Sequence, residues 1–136
     1  MDLYAENILD HYKHPRHAGQ LQHPTVRHRE ENLSCGDDLT VDLLITDGVI
    51  DDVKWMGEGC AISQAAMSLL SEELIGMTAD EAMGATKEEV LQMLGVPVGP
   101  RRLKCALLSL HTLRNALRKA AGQDALSWLQ NVEIDN

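Results

Sequence analysis

A chain of 136 residues with 44% apolar and 24% charged side chains has the size and balance of one soluble domain able to bury a core. Its 21 acidic against 12 basic residues (net charge −9) exclude nucleic acid as a general partner. No run approaches the roughly 20 apolar residues that span a membrane. The opening MDLYAENILD is no signal peptide, and three cysteines without secretory context imply a reducing, cytoplasmic setting rather than a disulfide framework.

Residues 2–13 are predicted helical, because Leu3, Ile8, Leu9 and Tyr12 share a face and Pro15 bounds the end. From His14 to Glu31 the chain is polar and His-rich, which fits loop or an edge strand. Leu39, Val41, Leu43 and Ile45 alternate along one strand, Asp47-Gly48 signals a hairpin, and residues 49–56 return with Val53 and Trp55 on one face. Gly57 and Gly59 interrupt that strand just before Cys60. An apolar stripe of Ile62, Ala65, Ala66, Leu69, Leu70 and Leu74 then predicts a helix over 61–75, ended by Gly76. Thr78 with Glu81 and Thr86 with Glu89 signal capping boxes of two short helices within 79–94. Two Pro and two Gly make 95–100 a loop. A last helix covers about 101–121, with Leu103, Leu107, Leu110, Leu113 and Leu117 inward and Arg114, Arg118 and Lys119 outward. Helices at both ends of an antiparallel hairpin give an α+β domain over residues 1–121, followed by a partly ordered tail, 122–136, whose one evident anchor is Trp128.

Charge is unevenly spread. Residues 35–94 carry thirteen acids and two bases, whereas 95–121 carry six bases and no acid. Such blocks are ordinarily solvated faces, but here the change of sign falls at Cys105. Each thiol has a distinctive neighbourhood. Cys35 precedes Gly36 and Asp37, whose carboxylate could converge with the sulfur on one centre. Cys60 joins Gly-Glu-Gly to a helix start, and Cys105 opens the last helix beside Arg101, Arg102 and Lys104. Helix N-termini and adjacent cations favour the thiolate, the form that binds metal or attacks sulfur. Three thiolates and a carboxylate suit tetrahedral Zn²⁺ or part of an iron–sulfur cluster. The intervals of 25 and 45 residues contain no C-x-x-C pair, so convergence depends on the fold, and a free Cys serves equally as a small buried hydrophobe.

Four segments carry a resemblance. Tyr4, Ile8, Asp10, His11, Tyr12, Pro15, Arg16 and Gly19 follow the pattern Y-x-x-x-I-x-D-H-Y-x-x-P-R-x-x-G. Asn32-Leu33-Ser34-Cys35-Gly36-Asp37 is similar to N-P-x-C-G-D with Leu for Pro, residues 57–63 match G-x-G-C-A-I-S, and residues 102–106 read R-L-K-C-A. On these motifs the chain resembles the IscU/NifU N-terminal/SufU family of iron–sulfur cluster assembly proteins across nearly 2–121. The resemblance implies a three-stranded antiparallel sheet packed by helices, with a shared site at Cys35, Asp37, Cys60 and Cys105. It also implies a scaffold that takes sulfur from a cysteine desulfurase plus iron and passes a transient [2Fe–2S] cluster to apo iron–sulfur proteins. Two departures stand out. Lys104 occupies the place where IscU-type members carry His, and Val96-Pro97-Val98-Gly99-Pro100-Arg101 replaces their L-P-P-V-K. Lys104 is the SufU-like choice, yet the roughly twenty extra residues between the second and third cysteines of SufU-like members are absent.

Two functions therefore stay open: a carrier rather than an enzyme, or a zinc-dependent sulfurtransferase like SufU. In the second, Cys105 is the candidate persulfide acceptor, with Lys104 as an auxiliary that steers the group. A structural zinc domain is the bland third reading, and dimerisation around a bridging cluster is left open. His111, six positions from Cys105, faces another side of the helix and is no partner for it. His11, His14, His17, His23 and His28 read as solvated rather than as ligands. Met67, Met77, Met83 and Met93 fill the core of a chain without Phe. Arg101 and Arg102 are either a solvated helix start or a contact for an acidic partner.

Overall fold

Alternation along the central strand sets the layers. In the computed structural model, which describes residues 3–134, β2 (Asp37–Thr46) buries Leu39, Val41 and Leu43 on one face while Asp38 and Thr40 lie on the other. It pairs antiparallel with β1 (Val26–Asn32) on one side and β3 (Val49–Glu58) on the other, giving the order β1-β2-β3. The Asp47-Gly48 turn closes the hairpin as expected, with both residues at positive φ. β3 continues through Gly57 to Glu58, two residues beyond the expected end.

The edge strand β1 was ambiguous from sequence for a physical reason. Only Val26 and Asn32, at its two ends, are fully buried. Residues 17–19 lie along the outer edge of β3, where Gly19 donates to Trp55 O (2.9 Å) and Trp55 donates to His17 O (3.0 Å). Helix α1 (Leu3–Lys13) packs on α2 (Ala61–Leu74). His11, expected to be solvated, is buried there instead: its Nδ1 meets Ser68 Oγ at 2.7 Å and its Nε2 lies 3.6 Å from Glu72. Burial pushes the His11 pKa down. His28 is also engaged, 2.6 Å from Glu30, while His14 and His23 are exposed.

Both Thr caps form. Thr78 makes a full capping box on α3 (Ala79–Met83), and Thr86 accepts from the Glu89 N–H on α4 (Lys87–Leu94). After a 3₁₀ turn at Pro100–Arg102, α5 (Leu103–Ala120) runs across β1 and β2 and against α2. Leu108 and Leu113 join Met67 and Leu70 over the sheet, while Leu107 and Leu110 join Ala65, Ala66 and Val90 in a second cluster. Full burial of each such side chain is worth about 1.5–3 kcal/mol. Met77, Met83 and Met93 pack against the first cluster. Arg114, expected outward, is half-buried and donates to the carbonyls of Ala85 and Asn131, both at 2.6 Å. The second of these lies in α6 (Trp128–Val132), whose Val132 is buried. No helix among the described residues is long and apolar enough to cross a membrane.

Candidate metal centre

Three chain junctions meet at one end of the sheet. The β1–β2 turn carries Cys35, and the Cys35 and Gly36 N–H groups both donate to Asn32 O (3.3 and 3.0 Å). Asp37 begins β2 opposite Asn32 and is buried. Cys60 is the N-cap residue of α2, at the positive end of that helix dipole, with its carbonyl accepting from Gln64 N–H (3.2 Å) and its thiol free of any capping bond. Cys105 lies in the first turn of α5.

The Sγ atoms of Cys35 and Cys105 and a carboxylate oxygen of Asp37 all lie within 4.8 Å of one another. Cys60 lines the same cleft, of about 480 Å³, with Ser34, Cys35, Arg101, Arg102 and Cys105. Its backbone N–H donates to Asp37 Oδ1 at 2.8 Å, which ties the α2 junction to the β2 junction. That contact depends on Gly59. At φ +138° a side chain is strained, and a Cβ there would stand 2.1 Å from Asp37 Oδ1.

The thiols are graded in exposure: Cys35 exposed, Cys60 intermediate, Cys105 buried at 2%. Burial is the largest influence raising the Cys105 pKa. Hydrogen bonding with Cys35 and Asp37 adds to it, as do the charges of Cys60 and Asp37, so Cys105 keeps its proton at neutral pH. This reverses the direction expected from the neighbouring cations. Arg101 and Arg102 are exposed, and Lys104 lies 5.2 Å from the centroid of the Trp128 ring instead of lining the cysteine cleft. The proton that Cys105 keeps is what a divalent cation displaces, and sulfur with carboxylate donors at these separations fits zinc or iron.

Sequence reasoning missed Asn32. Its Nδ2 faces both Asp37 Oδ2 (3.4 Å) and Cys105 Sγ (3.6 Å), and its Oδ1 is buried without a hydrogen-bond partner among the described residues. The available signal was its place opposite Asp37 in a hairpin register. His111 does lie apart from the thiols, on Glu30 (3.3 Å) and stacked on Trp128 at 4.2 Å. Burial alone would raise the Glu30 pKa, but hydrogen bonds from His111, His28 and Asn115 outweigh it and hold the carboxyl below its usual range.

The family described as "NifU-like N terminal domain" matches residues 3–125. The iron–sulfur cluster assembly scaffold protein IscU of Thermotoga maritima is 35% identical, covering 86% of this chain and 94% of that protein. The zinc-dependent sulfurtransferase SufU of Bacillus subtilis is 31% identical, covering 88% and 92%. Among solved structures, a putative iron–sulfur cluster assembly scaffold protein for the SUF system from Fervidobacterium islandicum AW-1 superposes with a TM-score of 0.74 at 33% identity. It covers 82% of this chain and 94% of that one. With its motifs, its three-stranded sheet and these matches, the chain belongs to the IscU/NifU/SufU family of NifU-like N-terminal domains.

Proposed function

We propose that the chain is a scaffold on which an iron–sulfur cluster is assembled, with Cys35, Asp37, Cys60 and Cys105 as the ligands of that cargo. One observation carries the reading: two thiols and a carboxylate converge within 4.8 Å, and the third thiol faces the same open cleft. The cleft favours temporary holding. Cys105 anchors from the buried side and Cys35 is exposed to a recipient, while a carboxylate in place of a fourth thiolate leaves one weaker bond to soft iron. Cation entry displaces the proton held by Cys105, so loading releases protons. Iron and sulfide come from outside, the sulfur from a cysteine desulfurase, and the product passes to apo iron–sulfur proteins.

Anaerobic reconstitution with ferrous iron, cysteine and a desulfurase should give visible sulfur-to-iron charge-transfer bands that fade as an apo acceptor is added. One tightly held zinc and no such bands would sink the scaffold reading.

The exposure of Cys35 and the likeness to SufU support a second reading, zinc-dependent sulfur transfer. Its thiolate attacks the terminal sulfur of a desulfurase persulfide, the desulfurase sulfur leaves as thiolate, and the proton stays on the new Cys35 persulfide. Burial makes Cys105 the poorer attacker, contrary to the expectation from sequence. Peptide mass spectrometry after the desulfurase reaction should place a gain of about 32 Da, one sulfur, on Cys35. The same gain on Cys105 restores the acceptor expected from sequence.

A further inference from the structure

The end of β1 reaches the metal centre through one side chain. Asn32 closes that strand directly opposite Asp37 and is 1% exposed. Its backbone carbonyl accepts from the Cys35 and Gly36 N–H groups (3.3 and 3.0 Å), which shapes the turn that carries Cys35. Its Nδ2 donates to Asp37 Oδ2 (3.4 Å) and to Cys105 Sγ (3.6 Å). Asp37 Oδ1 in turn accepts from Cys60 N–H (2.8 Å), so Asn32 and its strand partner together adjoin all three cysteines. Asn32 does not line the cysteine cleft; it stands behind the groups that do.

One end of this amide is left over. Asn32 Oδ1 is buried with no hydrogen-bond partner among the described residues. Such an acceptor costs stability, and native proteins keep few of them. Turning the amide over gives no relief, because Oδ1 would then stand against the Asp37 carboxylate, oxygen against oxygen. A leucine of similar size would fill the position without stranding a polar atom. What leucine lacks is the donor, and both acceptors of that donor are groups of the metal centre. A metal-bound thiolate accepts more strongly than a thiol, so the bond to Cys105 is strongest in the loaded centre.

We propose that Asn32 is a positioning residue of the metal centre, an inference that rests on the metal-centre reading above. Its amide sets the Asp37 carboxylate and the Cys105 sulfur at their working separation and donates to the Cys105 thiolate once metal is held. An N–H bond to a ligating sulfur draws electron density away from the metal–sulfur bond. Asn32 thereby tunes the inner ligand from behind, while the exposed Cys35 on the outer side carries no such side-chain donor among the described residues. The unpartnered Oδ1 is the cost in stability of keeping that donor buried.

The test compares Asn32→Leu with the wild-type full chain, titrated anaerobically with Co²⁺ alone and melted without metal. Asn32→Leu should weaken apparent Co²⁺ affinity at least about tenfold and move the thiolate-to-cobalt band to longer wavelength, since the sulfur lone pairs lose their N–H donor. Its metal-free Tm should stay within about 4 °C of wild type, because the lost bonds are offset by removal of the unpartnered acceptor. Asn32→Gln, which keeps the amide, should stay closer to wild type in both affinity and band position. A folded Asn32→Leu protein that binds no Co²⁺ is the predicted loss in full. If circular dichroism shows Asn32→Leu misfolded, affinity and band are read on Asn32→Ala. Affinity and band both unchanged overturn the inference, and so does an unmoved band with a metal-free Tm lowered by more than about 10 °C, the mark of a purely structural residue. A wild-type chain that binds no Co²⁺ removes the metal-centre reading itself.

Discussion

Gly59 offers the sharpest check on how the site is held. Replacing it by Ala puts a Cβ 2.1 Å from Asp37 Oδ1 and 2.8 Å from its Cγ, against an ordinary contact of 3.4 Å or more. The carboxylate cannot swing clear, since it is buried, with Oδ1 accepting from Cys60 N–H and Oδ2 facing Asn32 Nδ2. The backbone must therefore leave φ +138° and carry Cys60 with it. Strain of about 1–3 kcal/mol and loss of a charge-assisted hydrogen bond of about 1.5–3 kcal/mol together give roughly 2.5–6 kcal/mol. For a chain of this length that is a fall of about 10–20 °C in Tm. Gly36→Ala is the control. It immediately precedes Asp37 in the β1–β2 turn, at φ +72° with no atom within 4 Å of a new Cβ, and should cost only about 1 kcal/mol. Thermal melts of both metal-free variants by circular dichroism, with parallel Co²⁺ titrations, supply the measurement. A Gly59→Ala protein as stable as Gly36→Ala and equally able to bind cobalt would refute the close approach of Gly59 to Asp37.

Asp37→Asn keeps the acceptor for Cys60 N–H but removes a charge that raises the Cys105 thiol. Alkylation of Cys105 by iodoacetamide, followed by mass spectrometry, should quicken at least about threefold while Cys35 remains the first thiol to react. Because Cys105 holds its proton more tightly folded than unfolded, metal-free stability should fall as pH rises above about 8.5. The slope should reach about 1.4 kcal/mol per pH unit, and be absent in Cys105→Ala; urea midpoints from pH 7 to 10 test this. The same proton makes cobalt affinity rise with pH, and an affinity flat between pH 6 and 8 would contradict it. Glu30 works in the opposite sense. Its folded pKa is lowered, so its contribution is full above the unfolded carboxyl pKa and is lost on acidification. Glu30→Gln should cost about 2–3 kcal/mol at pH 7 and flatten the acid limb of a pH–stability curve.

What sequence made legible was whatever rests on local periodicity or local chemistry. The β2–β3 hairpin follows from strict alternation and Asp47-Gly48, the short helices from their threonine caps, and the convergence of Cys35 with Asp37 from the glycine between them. Tertiary partners decided the rest. β1 is an edge strand whose buried positions are its ends, so no alternating apolar pattern marks it. Arg114 and Arg118 look like a solvated basic face because the carbonyls that Arg114 binds belong to residues 85 and 131, distant along the chain, and the one that Arg118 binds belongs to residue 124, past the helix end. His11 finds Ser68 and Glu72 only once α1 lies on α2.

Cys105 shows why a charge neighbourhood read along a sequence can mislead about a site. Its three basic neighbours occupy a 3₁₀ turn and the first residues of a helix, where successive side chains diverge by about 100°. A thiol that turns inward from such a segment therefore leaves its cations behind. Arg101 and Arg102 remain exposed on the rim, Lys104 goes to Trp128, and Cys105 meets Asn32, Asp37 and Cys35. The polarity that results is useful to a carrier. The inner sulfur is protonated and protected until a cation arrives, and the outer sulfur at Cys35, beside Leu33 at 84% exposure, faces whatever docks. On the scaffold reading proposed above, loading is coupled to loss of a buried proton, while release can begin at exposed Cys35. Exchanging the two environments, rather than removing either thiol, is what should turn a transient holder into a permanent one.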